Sequence, residues 1–108
     1  MRKVASASLL LVLVGCAQHD DKIELTKTDR AFVKVVREEI TGVEDKSDEY
    51  LVIKGHHVCT YAENMETFPV VIAWTKRDTG LTASDSSYFS GAAIAAYCPQ
   101  HVNMIPGR

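Results

Sequence analysis

The chain has 108 residues, 46% of them hydrophobic and 24% charged, with six glycines and three prolines. That composition is globular: it excludes a wholly disordered or collagen-like chain, and the length allows one domain at most. The formal charge is −2 and no basic stripe runs through the sequence, which argues against a nucleic-acid partner.

Residues 1–15 read as an export leader. Arg2 and Lys3 supply a positive start, Ala5 to Val14 carry no charge, and Gln18-His-Asp-Asp-Lys22 then turns sharply polar. This is the signal-peptide pattern, and the apolar stretch falls short of the roughly 20 residues that a spanning helix needs. Leu13-Val14-Gly15-Cys16 resembles the bacterial lipobox. A thiol is required at its fourth position because the diacylglyceryl group is attached through a thioether, and small Gly15 gives the peptidase access to the bond before Cys16. Cleavage after Ala17 without a lipid is the rival reading, and the lipobox is the better match. Lipidation of Cys16 would anchor the protein to a membrane at its extracytoplasmic face. Residues 16–28 then form a polar, lipidated tether, and residues 29–108 form the folded domain.

Four helices are expected in that domain. The first spans about Asp29 to Thr41, with Phe32, Val35, Val36 and Ile40 on one face, Thr28 as its cap and Gly42 as a left-handed terminator. The second spans Asp48 to Met65 after the cap Ser47. Leu51, Gly55, Val58, Ala62 and Met65 form its seam. Gly55 costs about 1 kcal/mol against alanine within a helix, so a close helix crossing is expected there. A third starts near Thr67 with Pro69 in its first turn, carries Val70, Ala73 and Trp74, and stops at Gly80. Thr82 and Asp85 form a capping pair for the fourth, which buries Phe89, Ala92, Ala93 and Ala96 against the second helix and ends at Pro99. The fold class is all-α: a compact bundle of about four short helices.

With Cys16 assigned to lipid, Cys59 and Cys98 remain as a pair in an oxidising compartment, which favours a disulfide. It would close a loop of about 39 residues and contribute roughly 4 kcal/mol through loop-closure entropy. Gly55-His-His-Val-Cys59 and Ala93-Ile-Ala-Ala-Tyr-Cys-Pro99, with Phe32 in the first helix, resemble the domain of unknown function 732 family. That family comprises small helical secreted proteins and lipoproteins of mycobacteria and their phages. The resemblance covers about Asp29 to His101. The family's usual glycine shortly after the first cysteine is absent between Tyr61 and Thr67. The resemblance implies the helical fold and the disulfide, and it implies no biochemical activity.

Four other constellations bear on chemistry. His57-x-Cys59 and Cys98-x-x-His101 would supply a Cys₂His₂ set if the cysteines met as thiolates. The spacing is atypical and oxidation removes both thiolates, so His56 and His57 are expected at a helix edge and no metal is expected. Ser86, Ser87 and Ser90 with His56, His57 or His101 lack a G-x-S-x-G elbow, so no catalytic residue is assigned and no enzyme is expected. Glu44, Asp45, Asp48 and Glu49 lack calcium-loop spacing and read as a solvated loop and helix start. Tyr61, Phe68, Trp74 and Tyr88 would line an apolar ligand pocket or, more simply, belong to the core.

These observations point to a non-enzymatic cell-envelope lipoprotein without a cofactor, binding or blocking an unidentified envelope protein or receptor at the outer membrane face. A superinfection-exclusion lipoprotein encoded by a phage or prophage is the alternative use of the same chain, and a small exported metal- or ligand-binding protein is a second one.

Overall fold

The computed structural model describes residues 23–107, so the leader, the lipobox and Cys16 lie outside the described residues. Four α-helices follow in order: α1 Lys27–Glu39, α2 Asp48–Asn64, α3 Phe68–Thr79 and α4 Ala83–Tyr97, with a 3₁₀ turn at Pro99–Met104. Helix α4 is central, packing on α1, α2 and α3.

Each helix start has a chemical reason. Thr26 caps α1 in a reciprocal box: its hydroxyl accepts from Asp29 N at 3.0 Å, and its own N–H donates to the Asp29 carboxylate at 2.9 Å. The cap is therefore Thr26 and not Thr28, and α1 begins two residues before the expected Asp29. Ser47 caps α2 by accepting from Tyr50 N at 3.0 Å, and Thr82 caps α4 by accepting from Asp85 N at 3.1 Å. Pro69 occupies the first turn of α3, where its missing N–H costs nothing.

The helix ends differ more from expectation. Gly80 terminates α3 in the left-handed conformation, φ 77°, where only glycine is free of strain. Gly42 is not left-handed. Helix α1 stops earlier, at Ile40, whose extended backbone turns its side chain into the core. Arg37 then organises the connection to α2: it donates to Val43 O at 2.9 Å, to Lys46 O at 2.7 Å and to Asp48 Oδ1 at 2.7 Å. Gly42 still has a packing role, because a Cβ there would stand 3.3 Å from Leu81 Cδ2. Between α2 and α3, where the family's usual glycine is absent, extended Met65 makes the turn, its N–H donating to Tyr61 O.

The core comprises Phe32, Val33 and Val36 of α1, Leu51, Val52, Val58 and Ala62 of α2, Phe68 and Val71 of α3, and Phe89, Ala93 and Ile94 of α4. Val35 was expected inside and is exposed, with Val33 taking the buried position. Helix α3 departs most. It buries Phe68, Val71 and Thr75, while Val70, Ala73 and Trp74 face outward. Its neighbours use Phe68 and Val71 to close the core, so the three residues on the other side stay exposed. Ala92 and Ala96 of α4 are only partly buried, whereas Ala93 is fully buried with its carbonyl 3.8 Å from Cys59 Sγ of α2.

Among the described residues, every buried side-chain nitrogen and oxygen has a hydrogen-bond partner. Ser90 donates to Thr75 Oγ1 at 2.9 Å across the α3–α4 contact, and Thr79 donates to Thr75 O at 2.8 Å. Each such pair avoids the 1–3 kcal/mol of an unsatisfied buried group.

Candidate functional site

The residues that carry the family resemblance converge on one structural knot. Cys59 and Cys98 form a disulfide with their Cα atoms 6.0 Å apart, joining α2 to the end of α4. Next to it, the Phe32 ring meets Tyr97 at 5.2 Å and Phe89 at 5.4 Å, both edge-on. Gly55 makes room for this cluster: a Cβ there would stand 2.9 Å from Phe32 Cε2 and 3.1 Å from Tyr97 Cε2. The expected close approach at Gly55 is therefore real, and it is made by aromatic rings and not by another backbone.

Tyr97 also closes a polar contact that nothing in the local sequence announces. Its hydroxyl donates to Asp29 Oδ1 at 2.6 Å, across 68 positions of the chain. Burial alone would raise the Asp29 pKa. The hydrogen bonds from Tyr97 and Thr26 outweigh it and hold the carboxyl below its ordinary value. Burial and the Asp29 partner push the Tyr97 phenol up. His56 lies on the open side of the same ring, with centroids 4.0 Å apart. This assembly ties the start of α1 to the end of α4, and it is scaffold.

The metal and nucleophile candidates are dispersed into other contacts. The disulfide consumes both thiols, and His57 pairs through Nδ1 with Asp78 at 2.8 Å. No group of three or more His, Cys, Asp or Glu side chains gathers among the described residues. Ser86 donates to Leu81 O, Ser90 donates to Thr75 Oγ1, and Ser87 is half-buried on α4. Of the acidic residues, Asp48 is held by Arg37, while Glu44 and Asp45 are exposed in the loop.

The four aromatics weighed for a ligand pocket separate into two places. Phe68 and Tyr88 line a groove between α1 and α4, with Val35, Ala31, Ala92 and Ile105. Its volume is about 640 Å³, within the usual range of ligand sites. Tyr61 and Trp74 instead face each other across α2 and α3, ring centroids 6.0 Å apart, and Arg77 lies 5.3 Å over the Trp74 ring.

Behind that second pair stands Asp78, the hub of the α2–α3 contact. It accepts from Lys54 Nζ at 2.8 Å and Tyr61 Oη at 3.2 Å, besides pairing with His57. Burial opposes its ionisation. The hydrogen bonds from Lys54 and His57 prevail, so its pKa is lowered. Lys54, His57 and Tyr61 recur at helical spacing on α2, so one face of that helix presents all three to α3. The outcome is a surface patch of exposed Trp74, Val70 and Arg77 with half-buried Tyr61, set on the half-buried contacts of Asp78 with Lys54 and His57. From its sequence Trp74 is expected in the core or an apolar pocket, and the structure puts it on the surface.

The disulfide points to an oxidising, extracytoplasmic location, and no described helix is long and apolar enough to cross a membrane. Neither a curated protein nor a solved structure matches the chain. A family model described as "Protein of unknown function (DUF732)" matches residues 28–100. That span contains the four helices from their first turns through the disulfide and Pro99, and the chain belongs to the DUF732 family.

Proposed function

We propose that the protein is a cell-envelope lipoprotein, anchored through Cys16, which acts by binding a protein partner at the outer face of the membrane and not by catalysis. The observation that carries the binding half is the exposed Trp74, 40% accessible and flanked by Tyr61 and Arg77. Trp, Tyr and Arg are the residue types that dominate binding energy at interfaces. Here Asp78 accepts from the Tyr61 hydroxyl and so fixes that ring beside Trp74, which lowers the ordering cost of association.

The anchoring half is supported by Leu13-Val14-Gly15-Cys16 standing before a disulfide-locked domain. A tether of about twelve residues reaches roughly 40 Å when extended and averages nearer 20 Å when flexible. The domain would therefore meet partners close to the bilayer, where tethering raises effective concentration and weak contacts suffice.

Crosslinking in living cells tests the reading. Wild-type protein should capture a membrane-associated partner, and Trp74→Ala should lose that product while the domain keeps its helical content and its disulfide. Cys16→Ser should release the protein from the membrane and lose the product as well. Undiminished capture by Trp74→Ala would remove this face from the proposal.

A further inference from the structure

We propose that the groove between α1 and α4 seats a fatty-acyl chain of a bilayer lipid. The lipid's source rests on the anchoring of Cys16 proposed above. The groove follows α4 from Ser87 to Ala96, which is roughly 14 Å along the axis at 1.5 Å per residue. Its walls are Ala31 and Val35 of α1, Phe68 of α3, Ala92 and Ala95 of α4, and Ile105 beyond the 3₁₀ turn. No lysine, arginine, histidine, aspartate or glutamate lines it. The hydroxyls of Thr28, Ser87 and Tyr88 are its polar groups. A groove of about 640 Å³ with that lining rewards an apolar occupant and offers little to a charged or strongly polar one.

The chain outside the groove says where such an occupant comes from. Thr28 stands in the groove wall, twelve residues after Cys16, so an anchored Cys16 holds the mouth within roughly 40 Å of the bilayer at most. Exposed Lys27 and Arg30 share the first turn of α1 with Thr28. Glu24 is exposed just before them, and Asp29 in the same turn is directed inward onto Thr26 and Tyr97, so these two are the side chains that would meet the anionic headgroup of an entering lipid.

The test uses the full chain carrying Cys16→Ser, exported and free of its own lipid, titrated with decanoate, laurate and myristate below their micelle concentrations. Calorimetry should give saturable one-to-one binding. Each step of two methylenes should tighten it about fifteenfold until the groove is filled. Amide shifts should concentrate at Ala31, Val35, Ala92 and Ala95. Ala95→Trp and Ala31→Trp, at exposed wall positions, should each weaken binding at least tenfold with unchanged circular dichroism, whereas Trp74→Ala should bind as the parent does. Non-saturable uptake, or parental affinity in both tryptophan variants, would overturn the proposal. So would groove shifts that follow protein concentration without fatty acid, since the occupant would then be a second copy of the chain. Lipidation is read separately, from acyl mass on wild-type Cys16, so a failure of the anchor and a failure of the groove give different results.

Discussion

Replacing Gly55 with alanine sets two effects of opposite sign against each other. In an open helix the change stabilises by about 1 kcal/mol, because glycine has more backbone freedom to lose on folding. Here the new Cβ would stand 2.9 and 3.0 Å from Phe32 Cε2 and Cζ, and 3.1 Å from Tyr97 Cε2. Neither ring yields easily. Phe32 is 2% exposed and wedged between Phe89 and Tyr97, and the Tyr97 hydroxyl is held by Asp29. Overpacking of this kind costs about 1–3 kcal/mol, so Gly55→Ala should destabilise the domain by about 1 kcal/mol net. For a domain of this size that lowers Tm by about 4–8 °C. The decisive arm is Gly55→Ala in a Phe32→Leu background. With the tightest neighbour removed, the alanine should become neutral or stabilising, a coupling of about 1–2 kcal/mol in a urea-denaturation double-mutant cycle. An alanine that stabilises equally in both backgrounds would refute the packing argument.

Replacing both Cys59 and Cys98 with alanine should cost about 4 kcal/mol, from a loop of 39 residues, read as a fall in the urea midpoint with a rise in m, because the unbridged denatured chain exposes more surface. A loss below about 1 kcal/mol would mean the helices hold that loop without the bridge. Asp29, whose folded-state pKa lies below its ordinary 3.8, contributes stability that is present above that ordinary value and lost as pH falls through the depressed one. Tyr97→Phe removes the hydrogen bond that does most to lower it. The variant should be less stable by about 1–3 kcal/mol at neutral pH and should show a shallower further loss on acidification. Identical acid limbs for the two proteins would refute that assignment.

Much of the fold was legible because it rests on local chemistry. Ser47, Thr82, Pro69 and Gly80 act within one helical turn of their own position, and each does what its residue type predicts. The start of α1 is legible too, since Thr26-Lys-Thr-Asp29 is itself a T-x-x-D box, although Thr28 offers a competing cap of the same residue type. The faces of α3 were harder. Val70, Ala73 and Trp74 share helical spacing with one another as well as Phe68, Val71 and Thr75 do, and only the placement of α2 and α4 decides which set is covered. The same limit hid the Trp74 patch and the groove, because both depend on which apolar residues are left without a neighbour. The contact of Tyr97 with Asp29 spans 68 positions, and no periodicity relates such residues. The motif around Gly55, Cys59 and Tyr97 was visible as a pattern. Its purpose, seating rings beside a disulfide, required three dimensions.

The most direct test of the account is the intact mass of the wild-type protein extracted from membranes of an expressing host. The account predicts a chain beginning at Cys16, heavier by its acyl groups, and lighter by the two hydrogens of one disulfide between Cys59 and Cys98. A chain that begins elsewhere, carries no acyl group, or retains two free thiols would contradict it.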